Sequence, residues 1–318
     1  MTSKVYKTAK ARAPCSVAND ARLLITVCNA RRWKGHDRGS PVIVGLDENY
    51  SKVSALDVDV LPGNAPGITG MCRHKEGLAF VVQGEGGANS SLLLTDLLLR
   101  PKSIARLNCV TRGHSLCPYE HGLAVVSTGS DSVLYVDSDG TETHIHTYSE
   151  HRDHTVHLNG ICTDPSGLLV VSAFGHAASP ADHGRQGDGM IYDVISRRLL
   201  MSELTEPHSP IFAGGRLLMC QSRLGLVCDE CGNELELDGY CRGLAVTAER
   251  IYVGLSWKRN ISMSGSQPDT LASGGAGAAA EVVVFSWRDW DLRTAREITR
   301  VSLAGVAMEI YDICALDK

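Results

Sequence analysis

The apolar positions of this chain fall in short runs of five to eight residues, many of them alternating, and each run is bounded by Gly, Asp, Asn or Ser. Period-2 alternation with turn residues at the edges predicts β-strands joined by tight turns. No stretch holds a 3.6-residue apolar period for long. Residues 68–109 read as four such strands: ITGMCRH, LAFVVQG, SLLLTDL and IARLNC. Units of the same kind follow from residue 113 (GHSLCP, GLAVVSTG, SVLYV, THIHTY), from 157 (HLNGICTD, LLVVSAFG, GMIYDV, RRLLMSEL), from 207 (PHSPIFAGG, RLLMCQS, LGLVCDECG, ELEL) and from 241 (CRGLAV, RIYVGLS, EVVVFSW, EITRVSL).

Five complete four-stranded units therefore lie in the middle of the chain, and its two ends supply a sixth. The N-terminal stretch offers RLLITVCN, PVIVGLD and KVSALDV but no first strand, whereas the C-terminal EIYDICAL has the shape of one. Joining them shuts the ring and removes two exposed sheet edges. The prediction is an all-β protein, a single six-bladed β-propeller at residues 21–318 closed by its C-terminal strand, with residues 1–20 as an N-terminal extension. Repeats of this length suit a propeller or a solenoid, and the alternation favours the propeller. No Trp-Asp signature ends the blades. Two blades carry insertions after their second strands, at 175–187 and 258–280.

Composition narrows the function classes. Lys and Arg total 31 against 36 Asp and Glu, a net charge of −5 with no basic block, which argues against nucleic acid as a partner. Neither an apolar leader nor a run long enough to span a bilayer is visible, so a cytoplasmic location with no membrane partner is expected. Cysteines number 11, and Cys28, Cys72, Cys162, Cys220 and Cys314 sit within apolar strand runs, where they read as small buried hydrophobes in a reducing compartment. Oligomeric state is not legible.

Several segments, taken in order and spacing, resemble a family of bacterial proteins labelled DUF4915. They are His157-Leu158-Asn159-Gly160, Pro207-His208-Ser209-Pro210, Arg242-Gly243-Leu244-Ala245, Val253-Gly254-Leu255-Ser256 with Lys258-Arg259, and Glu309-Ile310-Tyr311-Asp312. The resemblance covers roughly residues 100–318 and implies a propeller-like fold. It implies no reaction.

In a propeller the first strand of each blade lines the central channel. The starts of these strands bring forward Thr69, His114, His157 with Asn159, His208, Arg242, and Glu309 with Tyr311. One reading makes His114, His157, His208 and Glu309 ligands of a divalent transition metal, with a position left for substrate or water. A second has no metal: Arg242 clamps an anionic group with Asn159 and His114 in support, while His157, His208, Glu309 and Tyr311 exchange protons. The bland alternative is that each group satisfies buried backbone at a strand end. For any one residue that alternative is the stronger; for the convergent set a preformed site is. The expectation is an enzyme acting on a small polar or anionic molecule by metal-assisted or acid–base chemistry of the lyase, isomerase or hydrolase kind, the alternative being a non-catalytic propeller that binds a small molecule or a protein.

Other signals are weaker. His151 and His154 form a His-rich tract without a shared face, and His144 and His146 read as an outer-strand pair. Cys228 and Cys231 make a lone C-x-x-C that reads as a turn. Lys258-Arg259 divides evenly between a pore-mouth role and a solvated loop.

Overall fold

The computed structural model describes residues 20–27, 41–57, 61–62, 65–148, 155–177, 185–256, 280–307 and 309–316. His151, His154, Lys258, Arg259 and most of both predicted insertions lie outside these residues.

The strands group into six four-stranded antiparallel sheets. In chain order, β1 (Leu23–Val27), β2 (Pro41–Leu46) and β3 (Lys52–Asp57) begin the first blade. The second holds β4 (Ile68–His74), β5 (Gly77–Val82), β6 (Asn89–Asp96) and β7 (Pro101–Thr111). The third holds β8 (Gly113–Tyr119), β9 (Gly122–Ser127), β10 (Ser132–Val136) and β11 (Glu142–Thr147), and the fourth β12 (Leu158–Thr163), β13 (Leu169–Ala173), β14 (Gly189–Asp193) and β15 (Leu199–Leu204). The fifth consists of β16 (Pro207–Ala213), β17 (Arg216–Gln221), β18 (Leu226–Asp229) and β19 (Glu234–Glu236), the sixth of β20 (Tyr240–Val246), β21 (Arg250–Ser256), β22 (Glu281–Arg288) and β23 (Asp291–Ser302). The last strand, β24 (Ile310–Ala315), completes the first blade on the inner side of β1, with Leu23 opposite Ala315, Leu24 opposite Cys314 and Ile25 opposite Ile313. This is the six-bladed β-propeller the repeats predict, shut by the strand predicted to shut it.

Both faces of each inner strand are covered by neighbouring blades, which is why the runs are apolar throughout. In β5, Leu78, Phe80 and Val82 pack toward the first blade while Ala79 and Val81 pack toward the third. In β9 the same alternation sends Leu123 and Val125 back to the second blade and Ala124 and Val126 on to the fourth. Successive side chains point to opposite faces, so one strand serves two interfaces. Outer strands such as β7 and β11 are largely exposed.

The hairpin between third and fourth strands is closed by an aspartate in blade after blade. Asp47, Asp96, Asp137, Asp193 and Asp229 each accept backbone N–H groups of the adjoining turn. This is the local chemistry by which Asp favours a turn over a continuing strand. Cys231 lies in one of these turns and is exposed, Cys228 precedes it in β18, and both thiols are free, in keeping with the turn predicted there.

Each first strand carries a bulge at the same place. Pairing skips one residue between Leu158 and Ile161, His208 and Ile211, Cys241 and Leu244, Gly113 and Leu116, Ile68 and Gly70, and on the β24 side between Ile310 and Asp312. A bulge adds a residue to one strand and re-aims the side chains around it. Aligning the bulges makes Thr69, His114, Asn159, Ser209, Arg242 and Tyr311 equivalent, followed by Gly70, Ser115, Gly160, Pro210, Gly243 and Asp312.

Small residues fill that second layer because neighbouring backbones meet there. A Cβ added at Gly160 would lie 2.3 Å from Pro210 Cδ and 3.0 Å from the Ser209 nitrogen. At Gly243, whose φ is +78°, it would lie 3.2 Å from the Asp312 backbone. Gly160→Ala is therefore expected to lower the unfolding free energy by about 1–3 kcal/mol through overpacking, read as a lower urea midpoint at unchanged slope.

Candidate functional site

A cavity of about 340 Å³ occupies the channel along the inner strands. Thr69, Asn159, His208, Arg242 and Tyr311 line its polar end. Beyond them come Asp312 and the small-residue layer, then Met71, Leu116, Ile161, Ile211, Leu244 and Ile313, with Cys72, Cys117, Cys162 and Cys314 after that. Of the residues predicted from strand starts, Asn159, His208, Arg242 and Tyr311 reach the cavity, whereas His114, His157 and Glu309 lie outside its lining. For His157 and Glu309 the bulge is the reason: it sets Asn159, not His157, level with Arg242 and Tyr311, and it leaves Glu309 two positions short of Tyr311. His114 shares the level of Arg242 and Tyr311, and its ring lies against Tyr311 and His157.

The predicted groups are nonetheless one assembly. The Arg242 guanidinium carbon sits 3.7 Å above the Tyr311 ring centroid. Tyr311 meets His114 edge-on at 5.4 Å, and His114 meets His157 at 5.6 Å. His157 stacks on Phe174 at 4.2 Å, Phe174 touches His208 at 5.0 Å, and His208 touches Tyr240 at 6.0 Å. Cation, phenol and imidazoles thus form an arc around the inner end of the channel. Phe174, not anticipated from the sequence, separates His157 from His208. Its backbone N–H donates to the His157 carbonyl at 3.2 Å, which fixes its place in the arc.

Backbone caps orient the imidazoles. The buried Asp131 carboxylate accepts the N–H groups of Thr155, Val156 and His157 at 2.6–2.9 Å, holding His157 at a φ of +53°. His114 Nδ1 lies 3.0 Å from the Arg112 carbonyl, and His208 Nδ1 lies 3.0 Å from the Glu206 carbonyl with Ser222 Oγ at 2.7 Å. A carbonyl only accepts, so these contacts put the proton on Nδ1 of the neutral ring. Glu206 is itself buried, bonded to Arg223 and to the Tyr240 hydroxyl at 2.9 Å. Asn159 Oδ1 accepts from Ser172 Oγ at 2.7 Å, and Thr69 donates to the Gly113 carbonyl at 2.6 Å.

No three His, Cys, Asp or Glu side chains among the described residues are grouped closely enough to hold a metal ion. His114, His157, His208 and Glu309 are not drawn into such a group, and the Phe174 ring lies between the imidazoles of His157 and His208.

The acid–base group that sequence reasoning passed over is Asp312. Its carboxylate accepts the Met71 N–H from the neighbouring strand at 3.1 Å and its own chain's Ile313 N–H at 2.9 Å. The surface it retains faces the cavity. Enclosure by protein pushes its pKa up to about 7, against the pull of those two N–H groups and of the Arg242 charge toward lower values. One signal could have found it: in the small-residue layer five blades have Gly, Ser or Pro, and only the first has an ionisable residue. Burial likewise raises the thiols of Cys72, Cys117 and Cys162, so that end of the cavity presents neutral S–H groups.

Residues 111–318 match the model of the family described as Domain of unknown function (DUF4915), and the chain belongs to that family. No curated protein matches it in sequence. Among solved structures, a chain of a nidogen/laminin complex superposes with a TM-score of 0.61 at 15% identity, covering 92% of this chain and 96% of that one. A luciferin-regenerating enzyme gives 0.50 at 11% identity, with 74% and 76% covered. Virginiamycin B lyase from Staphylococcus aureus gives 0.41 at 12%, with 74% and 85% covered. At these identities the similarity, where the TM-score reaches 0.5 or more, shows the fold alone. No helix among the described residues is long and apolar enough to cross a membrane.

Asp312 supplies a test of the site's electrostatics. Its folded-state value lies above that of an unfolded aspartate, so native Asp312 holds its proton where the unfolded chain has lost it. Stability from this group is full below about pH 4 and is lost as pH rises through about 7. Asp312→Asn, which does not titrate, should match the wild type near pH 4 and exceed it by about 2–4 kcal/mol at pH 8, read by urea unfolding at each pH.

Proposed function

We propose that this propeller is an enzyme whose active site is the polar end of the central cavity, with Arg242 binding the anionic group of a small substrate and Asp312 transferring a proton. What carries this reading is the convergence of those two residues, from adjacent first strands β20 and β24, on one cavity in the channel. A guanidinium held against a tyrosine face binds a carboxylate or phosphate in a fixed orientation. A carboxyl group poised near neutrality both takes and returns protons at working pH.

The chemistry these groups suit is proton abstraction from a carbon beside the bound anionic group. Asp312 takes the proton, and the charge that develops on the substrate oxygens is stabilised by Arg242. The proton returns at a neighbouring atom in an isomerisation, or a leaving group departs in an elimination. Tyr311, Asn159 and His208 are hydrogen-bonding groups of the same wall, and His208 presents its Nε2 once Nδ1 is committed to the Glu206 carbonyl.

The second reading is a binding module that holds the same anion without changing it, and Arg242 supports it equally. The two separate in one experiment. Protein incubated with a pool of small organic acids is expected to deplete one and accumulate an isomer or a fragment of it, by mass spectrometry. Asp312→Asn should slow that conversion about 10²–10⁴-fold, and kcat/KM should climb with pH through about 7, because the carboxylate is the reactive form. An acid that is retained but unchanged establishes the binding module; turnover undiminished in Asp312→Asn removes the aspartate from the mechanism.

A further inference from the structure

The cavity is divided along its length, and its polarity runs in one direction. At the starting ends of the first strands Thr69 and Asn159 are 1% exposed, His208 3%, Tyr311 7% and Arg242 8%, with Ser209 of the same layer half-buried. At the finishing ends Cys72, Cys314, Ile211 and Phe212 are half-buried, and Arg73 and Pro118 are exposed. The finishing ends are thus the more open side, and a ligand that reaches Arg242 from there crosses the length of the cavity. Between the two lies a throat of aliphatic side chains and neutral thiols: Leu116, Cys117, Ile161, Cys162, Leu244 and Ile313.

We infer that the site takes an amphipathic organic acid, carboxylate first, with its anionic group at Arg242 and an apolar body lying in the cysteine-lined throat. This rests on the anion-binding reading above and names the class of substrate. A wholly hydrophilic metabolite would leave its hydroxyls against aliphatic and thiol walls that return few hydrogen bonds, a mismatch that a selective site avoids. A simple inorganic anion would leave most of the cavity unfilled. An apolar chain gains from the walls in proportion to the area covered, and the cavity volume lies at the lower end of the range for small-molecule sites. Arg73 at the entrance adds a positive charge that draws anions toward the throat.

The probes are straight-chain carboxylates from acetate to octanoate, titrated calorimetrically into the full chain. Affinity should rise about threefold to fourfold with each methylene, the ratio that corresponds to about 0.8 kcal/mol per buried CH₂, and level off when the throat is full. Arg242→Met should abolish binding at every length. Cys314→Phe, which narrows the throat, should weaken octanoate at least tenfold while leaving acetate unchanged. Affinity independent of chain length, with binding still lost in Arg242→Met, would overturn the amphipathic assignment and leave the anion site standing. Binding that persists in Arg242→Met would overturn both. The wild-type series alone decides the matter if the narrowed variant fails to fold.

Discussion

Everything near the axis of this propeller depends on how closely six first strands can approach one another. Their backbones come into contact at the layer of Gly70, Ser115, Gly160, Pro210 and Gly243, where larger side chains would strike the neighbouring strand. That contact sets the bore of the channel. It also governs the layers on either side: the bulged layer above turns Thr69, Asn159, Arg242 and Tyr311 toward the axis, and the aliphatic and thiol layers below seal against the blade interfaces. The one exception in the small-residue layer is the gap between β24 and β4, bridged by the carboxylate of Asp312 bonded to the Met71 N–H. A position that holds Gly, Ser or Pro in five blades holds a carboxyl group in the first.

The site is consequently a product of broken symmetry. Six equivalent positions supply a threonine, an imidazole, an amide, a hydroxyl, a guanidinium and a phenol to one polar ring, so the repeated fold gives spacing while the individual blades give the chemical groups. A half-buried carboxyl near a buried guanidinium is costly to desolvate. Here the cost is moderated because the carboxyl keeps its proton until near-neutral pH, and because tyrosine covers one face of the guanidinium.

The fold was legible because it is written in local, repeated signals. Runs of the right length, turn aspartates such as Asp96 and Asp137, and the likeness of EIYDICAL to HLNGICTD were sufficient to count blades and to close the ring. The site was legible in part. Asn159, His208, Arg242 and Tyr311 drew notice because polar residues at the start of an inner strand are conspicuous, and all four line the cavity. His157 and Glu309 were carried into the channel by assuming unbroken alternation, and a one-residue bulge in every first strand defeats that assumption. Asp312 was passed over for the same reason, since it stands one residue beyond the expected register. Phe174 was missed because it lies just past a second strand, and only tertiary packing brings it between two imidazoles.

The strand that closes the ring is also the strand that carries Tyr311 and Asp312. Its partner β1 lies at the opposite end of the sequence, so this pairing spans almost the whole chain and is the slowest kind of contact for a polypeptide to form. Until it forms, Arg242 has no tyrosine ring to lie against and the cavity lacks the Asp312 carboxyl. A chain cut short near its last strand would lose this wall of the cavity and the closing sheet edge in the same event. Closing the ring and completing the cavity are one step in this molecule.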